Sequence, residues 1–190
     1  MRETEKSRKL NSAVRVLSKI IELCCWAAGG TMAVMIGLVL AGRTDVLPKL
    51  GTDFSGAGVV IGGFGTNVVS VSGVPERADY LLCFLTVLVL CVIMALVFRK
   101  LWTLFGIIAG KTKLEATPFQ PACVRLLRTV GYLLIAVSAA EAVMGLFTLE
   151  MGTVHVTVDP TTLFLGLVVL ALAQFFTYGT ELQSDADGLI

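Results

Sequence analysis

Three runs without a single charge, Leu23 to Gly42, Tyr80 to Phe98 and Pro160 to Thr180, constrain this chain more than any other feature; a fourth, Thr129 to Leu149, is interrupted only by Glu141. Each is roughly 20 residues long, which at about 1.5 Å per residue matches a hydrocarbon core of about 30 Å. Backbone groups cannot go unpaired in lipid, and the runs are continuous rather than alternating, so helices are required and a barrel is excluded. The expected fold is all-α: an integral membrane protein built as one four-helix bundle, with spans at about 23–42, 80–98, 129–149 and 160–180. The composition agrees, with 56% hydrophobic residues, 15% charged residues and a mean hydropathy of +0.86. A cleaved leader is the rival reading of the first run, with Val39 and Ala41 as its small-residue site. The apolar region is too long and the charged lead of 22 residues too extended for one.

With a formal net charge of +1 the chain has no global field to attract nucleic acid, and the position of each charge matters more than the total. Lys plus Arg number six in residues 1–22, three in 43–79, six in 99–128, none in 150–159 and none after Thr180. Basic residues flanking spans stay on the cytoplasmic side. The reading is therefore a multi-pass protein of the plasma membrane with both termini cytoplasmic, a cytoplasmic connector at 99–128 and a cytoplasmic tail at 181–190. The loops at 43–79 and 150–159 lie outside.

Ahead of the first span, Leu10, Val14, Leu17, Ile20 and Ile21 recur at helical spacing among Arg15, Lys19 and Glu22, which reads as an interfacial helix or as a solvated positive anchor. Within the span Cys25, Gly29, Ala33, Gly37 and Ala41 fall four apart. A stripe of small residues lets another backbone approach closely, either within the bundle or between copies of the chain through Gly29, Ala33, Gly37 and Ala41. The loop 43–79 is punctuated by glycines at 51, 56, 58, 62, 63, 65 and 73, with β-branched runs at Val59–Ile61 and Val68–Val71. The loop 150–159 adds the alternating Val154-His-Val-Thr-Val158. These segments predict a small β-rich cap outside the membrane. The glycines lack the order and the following Lys-Ser/Thr of a phosphate cradle, and Gly110-Lys-Thr-Lys113 lacks the upstream glycine of a P-loop.

The second span keeps helical spacing through Leu101, Leu104, Phe105 and Ile108, so its helix projects past Arg99 and Lys100 into the cytoplasm. The third helix starts at Pro121, whose missing N–H costs nothing at a first helical position. These features carry a resemblance. The Arg99-Lys-Leu exit, Pro118-Phe119 followed by Arg125-Leu126 and Arg128, and the terminal Gly179-x-Glu-Leu-Gln-x-Asp-x-Asp-Gly-Leu-Ile190 resemble the bacterial membrane-protein family called domain of unknown function 2975. At Gln120-Pro121 the chain departs from the Ser-type cap and following acidic or amide residues of that family. The resemblance covers the second half well and the first half by topology. It implies four spans and no known activity. Because the genes of the family often lie beside small Cro/repressor-type regulators, it also implies a helix-turn-helix transcription regulator as a cytoplasmic partner.

Glu141 is the only Asp, Glu, Lys, Arg or His side chain inside a span. A charge at mid-membrane costs at least about 2.5 kcal/mol, so Glu141 should face the bundle, paired or protonated. Counting residues from the span ends sets it within about 5 Å in depth of Thr31 and Thr86, with Gln174 about 8 Å deeper. Glu141, Thr31 and Thr86 form the candidate intramembrane site: a structural hydrogen bond, an ion or proton site, or a carboxylate snorkelling toward Glu150. His155 has no second ligand and reads as a strand residue. The five cysteines lack metal-ligand spacing, and no span pairs His with carboxylate or a nucleophile with a base. No catalytic, cofactor-binding or metal residue is assigned, and an enzyme is not expected. The acidic tail, Glu181, Asp185 and Asp187, shares a side with Arg99, Lys100, Arg125 and Arg128; with Pro118 and Phe119 these are the candidate partner-binding residues. The tail folds back on that basic surface, competes with a partner for it, or stays disordered. Two functions follow: a regulatory partner of a cytoplasmic helix-turn-helix protein, or a small transporter or channel using Glu141.

Overall fold

The computed structural model describes residues 2–42, 69–71, 77–108, 121–149, 154–156 and 159–187. In chain order these are α1 (Arg2–Leu40), β1 (Val69–Val71), α2 (Arg77–Ile108), α3 (Pro121–Leu149), β2 (Val154–Val156) and α4 (Pro160–Asp187). All four helices are long and apolar enough to cross a membrane, over Leu10–Leu40, Tyr80–Ile108, Pro121–Phe147 and Pro160–Leu182.

The helices outrun the uncharged runs because nothing in the flanking sequence stops them. The lead of α1 is rich in Arg, Glu, Lys and Leu and has no glycine before Gly29. Its end is chemically marked: Gly42 takes a positive φ of 75° and its N–H reaches the Val39 carbonyl at 3.1 Å, which answers one of the last free acceptors. Pro121 opens α3. At the other end of the chain α4 continues through Glu181 to Asp187, so most of the expected tail is helical; Leu182 and Gln183 favour helix, and the next glycine is Gly188.

β1 and β2 pair antiparallel in the register Val69 with Val156, Ser70 with His155 and Val71 with Val154. This one ladder of three-residue strands does not amount to a β-rich cap, which is therefore corrected: the described chain is helical apart from it. Three-residue strands offer too few main-chain pairs to build a layer. The strand expected at 59–61 lies outside the described residues.

Contacts group the chain into two compact units, one of Met1–Cys24, Met94–Ile135 and Phe164–Ile190, the other of Cys25–Ile93 and Ala136–Leu163. In the first, Val97, Val130 and Leu134 form a buried cluster with Leu101, Leu133 and Val169, and Leu104, Ile107 and Cys123 form another with Leu126 and Leu127. In the second, Cys83 and Val87 pack with Met32 and Cys91, while Val39 and Phe84 pack with Met35, Ile36 and Tyr80.

The expected small-residue stripe on α1 is only half used. Buried and half-buried positions follow Cys25, Gly29, Met32, Ile36 and Val39, whereas Ala33, Gly37 and Ala41 are exposed. Steps of four residues overshoot a 3.6-residue turn and drift around the helix, while alternating steps of four and three stay on one face. The close approach lies elsewhere. A Cβ on Gly131 of α3 would stand 2.7 Å from Leu170 and 3.2 Å from the Gly166 carbonyl oxygen; one on Gly166 of α4 would stand 2.9 Å from Ile135 and 3.2 Å from the Gly131 carbonyl oxygen. Each glycine lies against the backbone of the other, the geometry that small residues permit between membrane helices.

Candidate functional site

Buried positions on α3 run Val130, Leu134, Val137 and Glu141 in steps of four, three and four, with Ser138 beside Val137, so Glu141 continues the inward face of a largely apolar helix. Its side chain is fully enclosed, at 0% exposure. Desolvating a carboxylate so completely costs several kcal/mol unless donors meet it. One donor is the main-chain N–H of Asp159, 3.2 Å from Glu141 Oε2.

Asp159 is the residue before α4. Its own Oδ1 accepts the Thr161 N–H at 2.9 Å, which makes it the N-cap, and Pro160 fills the first helical position. The start of a helix concentrates free N–H groups and the positive end of its peptide dipoles, which attract negative charge. Glu141 and Asp159 thus bring two carboxyl groups to the first turn of α4, with Asp159 and Thr162 both buried. Chemically this fastens the last third of α3 to the entry of α4. Among the described residues no group of three His, Cys, Asp or Glu is placed to hold a metal ion.

Thr31 and Thr86 play a different part. Thr86 is buried and donates its hydroxyl to the Leu82 carbonyl at 2.8 Å; Thr31 is exposed and donates to Ala28 at 2.7 Å. Ser18, Thr103, Thr129, Thr177 and Thr180 bond their own helices in the same way. Such back-bonding lets a hydroxyl sit in an apolar span without a partner on another helix. Gln174 is exposed. Asp159 was not among the expected site residues; its signal was the Asp159-Pro160-Thr-Thr sequence, an N-cap followed by proline, which reads equally as the end of a strand.

The expected partner-binding residues divide by position. Arg99, Arg125, Arg128 and Glu181 are exposed and Lys100 is half-buried. Among the described residues no ion pair joins Glu181 to these cations. Asp185 and Asp187 belong to α4 and their side chains lie outside the described ones; Pro118 and Phe119 lie outside the described residues altogether.

Four helices long and apolar enough to cross a membrane, with hydroxyls bonded to their own helices and large exposed apolar residues such as Phe164, Leu172 and Phe175, fit a multi-pass membrane protein. Within that class the chain belongs to the family described as Protein of unknown function (DUF2975), which matches over residues 70–190. The match takes in Glu141, Asp159 and the Gly131/Gly166 crossing, and leaves α1 outside. No curated protein matches the chain, and no solved structure does.

Proposed function

We propose that the chain is a bacterial cell-membrane protein with both termini in the cytoplasm, and that it is a regulatory membrane partner of a cytoplasmic helix-turn-helix transcription regulator rather than an enzyme. One observation carries the reading. Arg99, Arg125 and Arg128 stand exposed on helices of one compact unit, with no ion pair to an acid among the described residues. Exposed cations held on rigid helices offer a surface for an acidic partner. Lys100, half-buried beside them, belongs to the same candidate set, as do Pro118 and Phe119 by sequence, and Glu181, Asp185 and Asp187 are the intramolecular acids that compete for it. The orientation follows from the Lys and Arg counts, and loops 43–79 and 150–159 then lie outside the cell. The identity of the partner rests on the family resemblance. Self-association, where it occurs, uses the exposed Ala33, Gly37 and Ala41.

The alternative, a small transporter or channel, would use Glu141. A carboxylate at 0% exposure that accepts the Asp159 N–H favours a structural role over a place on a solvated pathway. The separating experiment purifies the amino-terminally tagged protein from native membranes and identifies what accompanies it. A helix-turn-helix regulator should accompany the wild type and Glu141→Gln and be lost from Arg125→Glu/Arg128→Glu. If it is retained by the charge reversal, or if Glu141→Gln abolishes proton- or ion-coupled flux in proteoliposomes, the transport reading replaces this one.

A further inference from the structure

Where α1 meets the apolar region, Arg15 lies over the ring of Trp102 on α2, its Cζ 4.6 Å from the ring centroid, with Lys19 Nζ at 5.3 Å from the same ring. One turn further along α2, Gly106 makes room for the guanidinium: a Cβ there would stand 3.4 Å from Arg15 Cζ and Nη2. The two cations are not equivalent. Lys19 is bonded at 2.8 Å to Glu22, whose side chain is buried, so its charge is largely balanced. Arg15 has no carboxylate partner among the described residues, and its Nε is buried with no hydrogen-bond acceptor. A guanidinium with no carboxylate counter-charge, set where α1 enters the apolar region, is favoured by an anion beside it.

Beside this cluster lies an open groove of about 330 Å³ lined by the cationic Arg15 and Lys19, by Trp102, by the apolar Val16, Ile20 and Leu23, and by Ser12. Val16, Ile20 and Leu23 are more than half exposed and step along one face of α1 toward the uncharged run. A ligand that fits must be anionic where Arg15 is and apolar along Val16, Ile20 and Leu23. We propose that this groove holds an anionic phospholipid of the surrounding bilayer, its phosphate on Arg15 and Ser12 and one acyl chain along Val16, Ile20 and Leu23. Charge complementarity selects the headgroup, the apolar wall selects a lipid over a free anion, and Trp102 marks the interfacial depth at which headgroups lie. The site rests on the membrane reading and is independent of the regulator.

Trp102 is also the reporter. In a Trp26→Phe background, the full-length protein is reconstituted in vesicles containing brominated phosphatidylglycerol or, at the same mole fraction, brominated phosphatidylcholine, and quenching of Trp102 fluorescence is compared. The anionic lipid should be preferred about fivefold, the factor expected of one unbalanced cation near a headgroup. Arg15→Gln should bring the preference to near unity, Arg15→Lys should retain part of it, and Glu22→Gln should raise it by freeing Lys19. Equal quenching by the two lipids, or a preference unchanged in Arg15→Gln, overturns the proposal. Loss of the preference on adding millimolar inorganic phosphate would assign the groove to a free anion and also overturn it.

Discussion

The main-chain N–H of Asp159 donates to Glu141 across 18 residues of chain, at 3.2 Å. The bond joins a carboxylate in the last third of α3 to the cap of α4, so a side chain from within the apolar stretch ties the two helices together where the chain returns. A charged residue in a membrane helix is expensive and is commonly functional; here geometry gives it a local task.

Glu141→Gln keeps an oxygen able to accept the Asp159 N–H and should change stability by no more than about 1 kcal/mol, whereas Glu141→Leu strips the acceptor and should cost about 1–3 kcal/mol. Reversible unfolding in mixed micelles measures both. Equal costs for the two variants would show that charge, and not the hydrogen bond, is what the site requires.

Removing the cap should tell through α4 alone. Asp159→Ala leaves the Thr161 N–H without its 2.9 Å partner and is expected to cost about 1 kcal/mol, with Asp159→Ser or Asp159→Asn restoring most of it. Hydrogen exchange at residues 161–163 should quicken in the alanine variant while the amides of α2 stay protected.

The glycine crossing makes the sharpest packing prediction. Gly131→Ala places a methyl 2.7 Å from Leu170 and 3.2 Å from the Gly166 oxygen, and should destabilise the protein by about 1–3 kcal/mol. Adding Leu170→Ala removes the first clash and leaves the second, so rescue should be partial. Full rescue in the double mutant would mean that the backbones are not in contact at this point.

By contrast, a methyl group added at Gly30 or Gly37 on α1 would meet nothing within 4 Å. Gly30→Ala and Gly37→Ala should leave monomer stability within about 0.5 kcal/mol. Cross-linking yield after Gly37→Ile tests self-association separately: a fall in dimer with unchanged stability assigns Gly37 to a contact between copies.

Hydropathy alone determined four helices long and apolar enough to cross a bilayer, because the cost of unpaired backbone in lipid leaves a continuous apolar run of about 20 residues one conformation. The residues of the second half likewise announced the family, and Pro121 carried its own start chemistry. Which faces meet was decided by the tertiary structure. A stripe of small residues on α1 and single glycines at 131 and 166 look alike along a sequence, but helix phase turns Ala33, Gly37 and Ala41 outward and sets Gly131 against Gly166. The partner of Glu141 was hidden for the same reason: depth counted along separate helices ranks threonines as neighbours, whereas threonine hydroxyls satisfy themselves locally, and a carboxylate needs a donor that only the return of the chain at Asp159 supplies.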